Sequence, residues 1–161
     1  VLLTVSPALL ADGTILHLFH EMLRANRVLA EHIVFVLRQD DLETLGAAET
    51  DGFATLAQLG FRFAVNAVTR FDVVAKALAD ARVSLLKVSV EAARTDRAGV
   101  AELLAELNSE GLDLVAEDVA DLRAVPLLEE LKIRLAQGPA FSEPRPLRAE
   151  VLAGSKATTA A

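Results

Sequence analysis

The fold is decided by the stretch Ile133-Arg-Leu-Ala-Gln-Gly-Pro-Ala-Phe-Ser-Glu-Pro-Arg-Pro146, where a short apolar strand ends in a polar residue and opens into a proline-rich loop. Similar strand ends occur twice earlier in the chain. Residues 112–119 form an apolar run that reaches Glu117, and residues 84–89 carry Lys87. Lys, Glu and Gln thus stand at the ends of three successive strands. An α/β barrel places its chemistry at the C-terminal ends of its strands, so this pattern is typical of such a barrel.

Apolar strand-like runs alternate with amphipathic segments along the whole chain, and this alternation predicts a parallel sheet. The predicted strands are residues 2–5, 33–37, 61–65, 85–88, 112–116 and 133–136. The predicted helices are residues 15–29, 53–59, 71–81, 97–107 and 121–131, with Asp12 or Thr14 capping the first and Asp96 the fourth. A closed eight-stranded barrel typically takes about 250 residues. Periodicity alone therefore leaves two architectures open: a doubly wound sheet, or a barrel whose first two strands lie outside this sequence.

Composition excludes several classes of function. The chain has 161 residues and no Cys, which rules out disulfides, thiol nucleophiles and thiolate metal sites. A net charge of −7 argues against binding along a DNA or RNA backbone, which requires a basic surface. No apolar run reaches the roughly 18–20 residues of a membrane span. A small anionic nucleotide remains compatible with this composition, because a single pocket can be locally positive.

Six short motifs, in order and at similar spacing, resemble those of the EAL domain family, the bacterial phosphodiesterases of cyclic di-GMP. They are residues 3–10 (LTVSPALL), 31–40 (EHIVFVLRQD), 60–69 (GFRFAVNAVT), 86–89 (LKVS), 115–120 (VAEDVA) and 136–144 (AQGPAFSEP). The resemblance implies an EAL-type TIM-like (β/α) barrel, of which this chain covers roughly the last six strands. We expect an EAL-like domain over residues 1–154 and a flexible tail over 155–161. The Glu of the family's E-A-L motif would precede Val1, so the chain is interpreted as part of a longer protein.

The resemblance also implies a pair of divalent cations, Mg or Mn, held by carboxylates and an Asn at the strand ends. Such a pair polarises the phosphodiester and lowers the pKa of the attacking water. Here the four ligand positions hold Thr4, Val36, Asn66 and Ala67. A hard cation takes about six oxygen ligands, and Val and Ala offer none. We therefore expect no metal, no cofactor and no catalysis, with Lys87, Glu117 and Gln137 as remnants of the family's site.

Ligand binding is the function that these remnants could still serve. By resemblance, the expected ligand-binding residues are Thr4, Asn66, Lys87, Glu117, Gln137, Gly138 and Pro144. Each also has a structural interpretation. Lys87 could bind a ligand phosphate, or it could form an ion pair with Glu117 across neighbouring strands. Gln137 could contact a ligand or satisfy loop backbone groups.

Within the family, the chain resembles the degenerate EAL-like proteins of alphaproteobacteria that help to position the flagellum. The first functional hypothesis is an inactive cyclic di-GMP receptor and signalling module, with a role in flagellar assembly or motility. The alternative is a protein-interaction scaffold that binds no nucleotide, and the third is an active phosphodiesterase. The expected partners are cyclic di-GMP, proteins of a signalling or flagellar complex and a second copy of the chain. The resemblance implies a cytoplasmic domain, with tethering to the inner membrane through segments outside this sequence.

Overall fold

The computed structural model describes residues 1–142 and contains one six-stranded sheet. The strands are β1 (Leu2–Thr4), β2 (Val34–Arg38), β3 (Arg62–Val68), β4 (Val83–Ser89), β5 (Asp113–Glu117) and β6 (Leu135–Ala136). They lie side by side in chain order, and every neighbouring pair is parallel. This order confirms the predicted α/β class and the barrel-like succession of strands. A doubly wound sheet would instead require a reversal of strand order.

Helices connect the strands. They are α1 (Pro7–Ala11), α2 (Gly13–Ala25), α3 (Gln39–Glu43), α4 (Ala47–Gln58), α5 (Ala75–Asp80), α6 (Val90–Thr95), α7 (Arg97–Glu110) and α8 (Val125–Glu130), with 3-10 turns at Arg27–Glu31 and Leu122–Ala124. The predicted cap of α2 is confirmed, since the carboxylate of Asp12 accepts hydrogen bonds from the backbone of Thr14 and Ile15. Asp96 likewise caps α7 through the N–H of Gly99. No helix within residues 1–142 is long and apolar enough to cross a membrane.

Some element boundaries differ from the prediction. The helix predicted over 15–29 ends at Ala25, because the side-chain amide of Asn26 donates to the carbonyl of Met22 and a 3-10 turn follows. The short helices α1, α3 and α6 were not predicted, since five or six residues are too few to establish a helical hydrophobic period. The helix predicted from residue 71 begins only at Ala75, after an extended segment.

Both faces of the sheet are apolar, but their residues belong to two separate hydrophobic clusters. Residues Phe35, Phe63, Leu86 and Ala116 belong to the large core between the sheet and the helices. Alternate residues point to the other face, where Val34, Val36 and Ala64 form a small separate cluster with Leu85. We call this second face the inner face. A sheet that is apolar on both faces is typical of a parallel α/β barrel wall.

Strand β3 carries a bulge where it approaches its C-terminal end. Val65 pairs with Leu86 and Val68 pairs with Val88, so β3 uses one more residue than β4 over this interval. Ala67 lies in the bulge with φ of +52°. Left-handed backbone costs a non-glycine residue about 1–3 kcal/mol and persists only where surrounding contacts enforce it. The contact that enforces it here belongs to the site described next.

Candidate functional site

A buried ion pair lies on the inner face, near the C-terminal ends of β4 and β5. Lys87 Nζ lies 2.8 Å from Glu117 Oε2, and the two side chains are only 9% and 10% exposed. Lys87 belongs to β4 and Glu117 ends β5, so the pair bridges neighbouring strands as the structural interpretation predicted. The two charges neutralise each other, which is the condition under which such groups are normally buried.

The same carboxylate stabilises the bulge in β3. Glu117 Oε1 accepts a hydrogen bond from the backbone N–H of Ala67 at 3.0 Å. Glu117 therefore ties together three successive strands, β3, β4 and β5, through two oxygens. Next to the bulge, Asn66 Oδ1 is buried without a hydrogen-bond partner among the described residues. An acceptor in that position can receive a donor from a ligand, and leaving it unsatisfied costs about 1–3 kcal/mol.

The loops that follow β5 and β6 are joined by their backbones. The N–H of Gln137 donates to the carbonyl of Ala116, and the carbonyl of Gln137 accepts from the N–H of Val119. Gly138 is needed here, because a Cβ on it would lie 2.4 Å from backbone atoms of Val119. The side chain of Gln137 is exposed and makes no hydrogen bond to any described residue, so its main chain supplies the loop contacts. Pro144 lies outside the described residues.

Strands β1 and β2 complete the row of inner-face positions. Thr4 is exposed and pairs in register with Val36. Val36 is 3% exposed and packs in the apolar inner cluster rather than presenting a polar group. Two residues further along, Arg38 ends β2 and pairs in register with Asn66. Arg38 was not predicted as a site residue, because its place on the inner face depends on the strand register.

Gln39 is a second residue that sequence reasoning missed. It is 3% exposed, its Oε1 accepts from the N–H groups of Thr69 and Arg70, and its Nε2 donates to the carbonyl of Arg70. The guanidinium of Arg70 contacts α3, where it donates hydrogen bonds to Glu43 and lies 3.2 Å from Asp40. These hydrogen bonds raise the pKa of Arg70. They hold the loop after β3 against the start of α3.

A cleft of about 580 Å³ lies beyond the ends of β4 and β5. Its charged lining consists of Glu91, Arg94, Asp118, Asp121 and Arg123. Both cations face carboxylates: Arg94 lies 3.7 Å from Glu91, and Arg123 lies 2.6 Å from Asp121. The hydrogen bond from Arg123 lowers the pKa of the Asp121 carboxyl. Three acids against two bases make this cleft a poor environment for an added anion.

The residues at the strand ends match a pair of divalent cations poorly. Thr4 and Asn66 supply neutral oxygens, Val36 and Ala67 supply none, and Glu117 is committed to Lys87 and to a backbone N–H. Among residues 1–142, no group of three or more His, Asp or Glu side chains could hold a metal ion. Mg²⁺ and Mn²⁺ prefer shells of about six oxygens with carboxylates among them. No chemical step through such cations is derived for this chain.

Comparison with known proteins places these observations in a family. The model of the EAL domain family matches residues 1–144. No curated protein sequence matches the chain significantly.

Solved structures share the fold at low identity. The EAL enzyme Bd1971, bound to cAMP and cyclic di-GMP, is 17% identical with a TM-score of 0.72, over 96% of this chain and 42% of that chain. Klebsiella pneumoniae BlrP1, in a manganese and cyclic di-GMP complex, is 21% identical with a TM-score of 0.73, over 89% and 38%. The Xanthomonas citri FimX EAL domain, in complex with cyclic di-GMP, is 16% identical with a TM-score of 0.72, over 91% and 60%. The chain thus spans less than two thirds of the length of these relatives.

Proposed function

The chain belongs to the EAL domain family, and from this premise we propose that it is a catalytically inactive EAL domain that acts as a receptor for cyclic di-GMP. Bd1971, BlrP1 and FimX were each solved with cyclic di-GMP, which supports this choice of ligand. The proposal separates two properties of the family's site. Ligand binding is kept, whereas metal-dependent hydrolysis is lost.

The observation that carries the proposal is the composition of the inner face at the strand ends. Val36 packs in an apolar cluster and Ala67 offers its backbone N–H to Glu117, so neither can ligate a cation. Hydrolysis by a two-metal site requires both cations to stabilise the attacking and leaving oxygens. Nucleotide binding requires only hydrogen-bond donors, acceptors and local positive charge. Lys87, the unsatisfied Asn66 and the Gly138 backbone supply groups of those kinds.

The decisive experiment is a calorimetric titration of the chain with cyclic di-GMP, with and without EDTA. We expect saturable binding that EDTA leaves unchanged, and no hydrolysis when Mn²⁺ or Mg²⁺ is added. An ammonium has three N–H donors, so Lys87 can pair with Glu117 and still donate to a phosphate. A charged hydrogen bond to phosphate contributes about 1.5–3 kcal/mol, so Lys87→Ala should weaken binding by roughly ten- to a hundred-fold in the protein that remains folded. Absence of binding at high micromolar nucleotide would exclude the receptor function. Manganese-dependent hydrolysis would instead establish the active phosphodiesterase.

The second candidate function is a protein-interaction scaffold that binds no nucleotide. Two observations favour it. Lys87 already has a carboxylate partner in Glu117, and the cleft beyond β4 and β5 has an acidic excess. Under this alternative the buried pair serves only to join the strands, and the titration above shows no heat of binding. We prefer the receptor because Asn66 has an acceptor that no described residue satisfies.

For the cellular setting, we propose a cytoplasmic signalling module that acts through protein partners or a second copy of itself. The resemblance to flagellum-positioning EAL-like proteins supports a role in flagellar assembly or motility. Deletion of the coding region should then change flagellar number or placement, as counted by electron microscopy. Normal flagellation in the deletion strain would refute the proposed flagellar role but would leave the receptor proposal unaffected.

A further inference from the structure

We infer that Arg38 is a phosphate-binding residue, whose guanidinium provides the positive charge that a metal pair would otherwise supply at the strand ends. The inference rests on the proposed receptor function and adds a specific residue to it. Arg38 lies within the motif at residues 31–40 but is not one of the four ligand positions. Its candidacy comes from strand register, side-chain alternation and the distribution of charge.

The register places Arg38 at the edge of the inner face where the strands have their C-terminal ends, and we call this edge the mouth. Residues 34, 36 and 38 of β2 alternate onto the same face, and Val34 and Val36 are members of the inner apolar cluster. Arg38 is the last residue of the strand and faces Asn66 of β3 in register. Towards the C-terminal end of β2, the inner-face residues thus change from buried valines to Arg38, whose side chain is 55% exposed. The backbone of Arg38 is thus in register with Asn66, whose Oδ1 has no hydrogen-bond partner among the described residues.

The charge distribution leaves Arg38 available for an anion. Lys87 is buried 2.8 Å from Glu117 and is neutralised there. Within residues 1–142, the one ion-pair contact of Arg38 is a long one, 3.9 Å from Asp40. Asp40 lies closer to Arg70 and accepts a hydrogen bond from its guanidinium at 3.2 Å. No hydrogen bond joins the Arg38 side chain to any described residue, so its donors can turn towards a ligand without breaking one.

The chemistry of guanidinium suits a phosphodiester. Its planar fork of N–H donors matches two non-bridging phosphate oxygens, whereas an ammonium acts as a point charge. A phosphodiester carries one negative charge that a metal pair would ordinarily compensate. Val36 occupies one of the lost ligand positions, and Arg38 follows it on the same face of the same strand. An exposed cation one inner-face position away therefore restores local positive charge without requiring any oxygen ligand.

Arg62 provides a matched control. It lies on the same sheet and has the parity of Asn66, but it begins β3 and pairs in register with Val34, at the opposite end of the sheet. Arg62 is level with Val34, and Val34 lies four residues before Arg38 on β2. At the rise of a strand, these four residues span about 13 Å. This distance exceeds the Debye length of about 8 Å at physiological ionic strength. Arg62→Ala therefore removes the same charge without affecting the mouth.

The experiment is a titration of cyclic di-GMP into the wild-type chain, Arg38→Ala, Arg38→Lys and Arg62→Ala. We expect Arg38→Ala to weaken binding by about ten- to a hundred-fold, Arg38→Lys to lie between it and wild type, and Arg62→Ala to stay within about twofold. Thermal unfolding should be unchanged in Arg38→Ala, since the side chain is exposed. If Arg38→Ala folds poorly, Arg38→Lys still tests the role of the guanidinium, because it keeps the charge but lacks the planar fork of donors.

The outcomes separate this inference from the receptor proposal. If the wild type binds and Arg38→Ala binds equally well, the role of Arg38 is refuted and the receptor remains. Equal weakening by Arg38→Ala and Arg62→Ala would show a general charge effect and would also refute the role. If the wild type does not bind, the receptor proposal fails and the role of Arg38 fails with it.

Discussion

Breaking the buried ion pair should cost the protein a large part of its stability. In Lys87→Met the carboxylate of Glu117 keeps only the N–H of Ala67 at 3.0 Å and loses its cationic partner at 2.8 Å. Removing one member of a buried pair typically costs about 3–5 kcal/mol, because the other charge stays buried without compensation. A domain has only about 5–15 kcal/mol of unfolding free energy. The substitution should therefore remove at least about a fifth of that total.

The magnitude can be measured by urea unfolding of Lys87→Met, Glu117→Gln and the double variant at neutral pH. The double variant removes both charges and leaves neither one buried alone. We therefore expect its loss of unfolding free energy to be smaller than the summed losses of the two single variants, by at least about 2 kcal/mol. The m-value should stay constant, since a change in it would signal an altered denatured or native state.

An exposed pair on the same protein supplies the control. Lys76 and Asp80 lie 3.4 Å apart on α5, with side chains 70% and 69% exposed. Lys76→Met should cost less than about 0.5 kcal/mol, as expected for an exposed i,i+4 pair. A cost below about 1 kcal/mol for Lys87→Met, in the range of surface pairs, would refute the reasoning. It would mean that water reaches the pair and that the inner face is not a buried surface.

Two further predictions concern the loops near the site. Gln39→Ala should destabilise the protein by about 1–3 kcal/mol, because it removes three hydrogen bonds from a buried side chain. Hydrogen exchange at the amides of Thr69 and Arg70 should accelerate, and unchanged exchange there would contradict the proposed anchoring. The pKa of Asp121 is lowered by Arg123 from its ordinary value of 3.8. A lowered folded-state pKa stabilises the folded protein above the unfolded value, and this stabilisation is lost as pH falls through the folded value. The stability difference between wild type and Asp121→Asn should therefore shrink on acidification below pH 3.8, and a difference that grows would reverse the assigned sign.

Much of the fold could be predicted from local patterns. Strand-like runs such as 33–37 and 112–116 are short, rich in β-branched or aliphatic residues and bounded by polar residues, which makes them recognisable without neighbours. The boundaries were less accurate, because helix ends depend on caps such as the bond from Asn26 to Met22. The short helix α3 depends on its packing against β2 and β3 rather than on any period of its own.

For the site, the sequence by itself determined which residue types stand at the strand ends. Lys87, Glu117 and Gln137 were predicted to share one edge of the sheet, because parallel strands bring their C-terminal ends together whatever their order. That the side chains of Val36 and Ala67 cannot ligate a metal also follows from residue type, since neither has an oxygen.

Only the tertiary structure decided which of these groups contact one another and which face each side chain occupies. The bulge at Ala67 turns a backbone N–H towards Glu117, and the register of β2 on β3 sets Arg38 beside Asn66. A shift of one residue in either strand would send these side chains to the opposite face. Register and bulge arise from packing between segments some thirty to fifty residues apart, such as Ala67 and Glu117. No local pattern encodes such a long-range match.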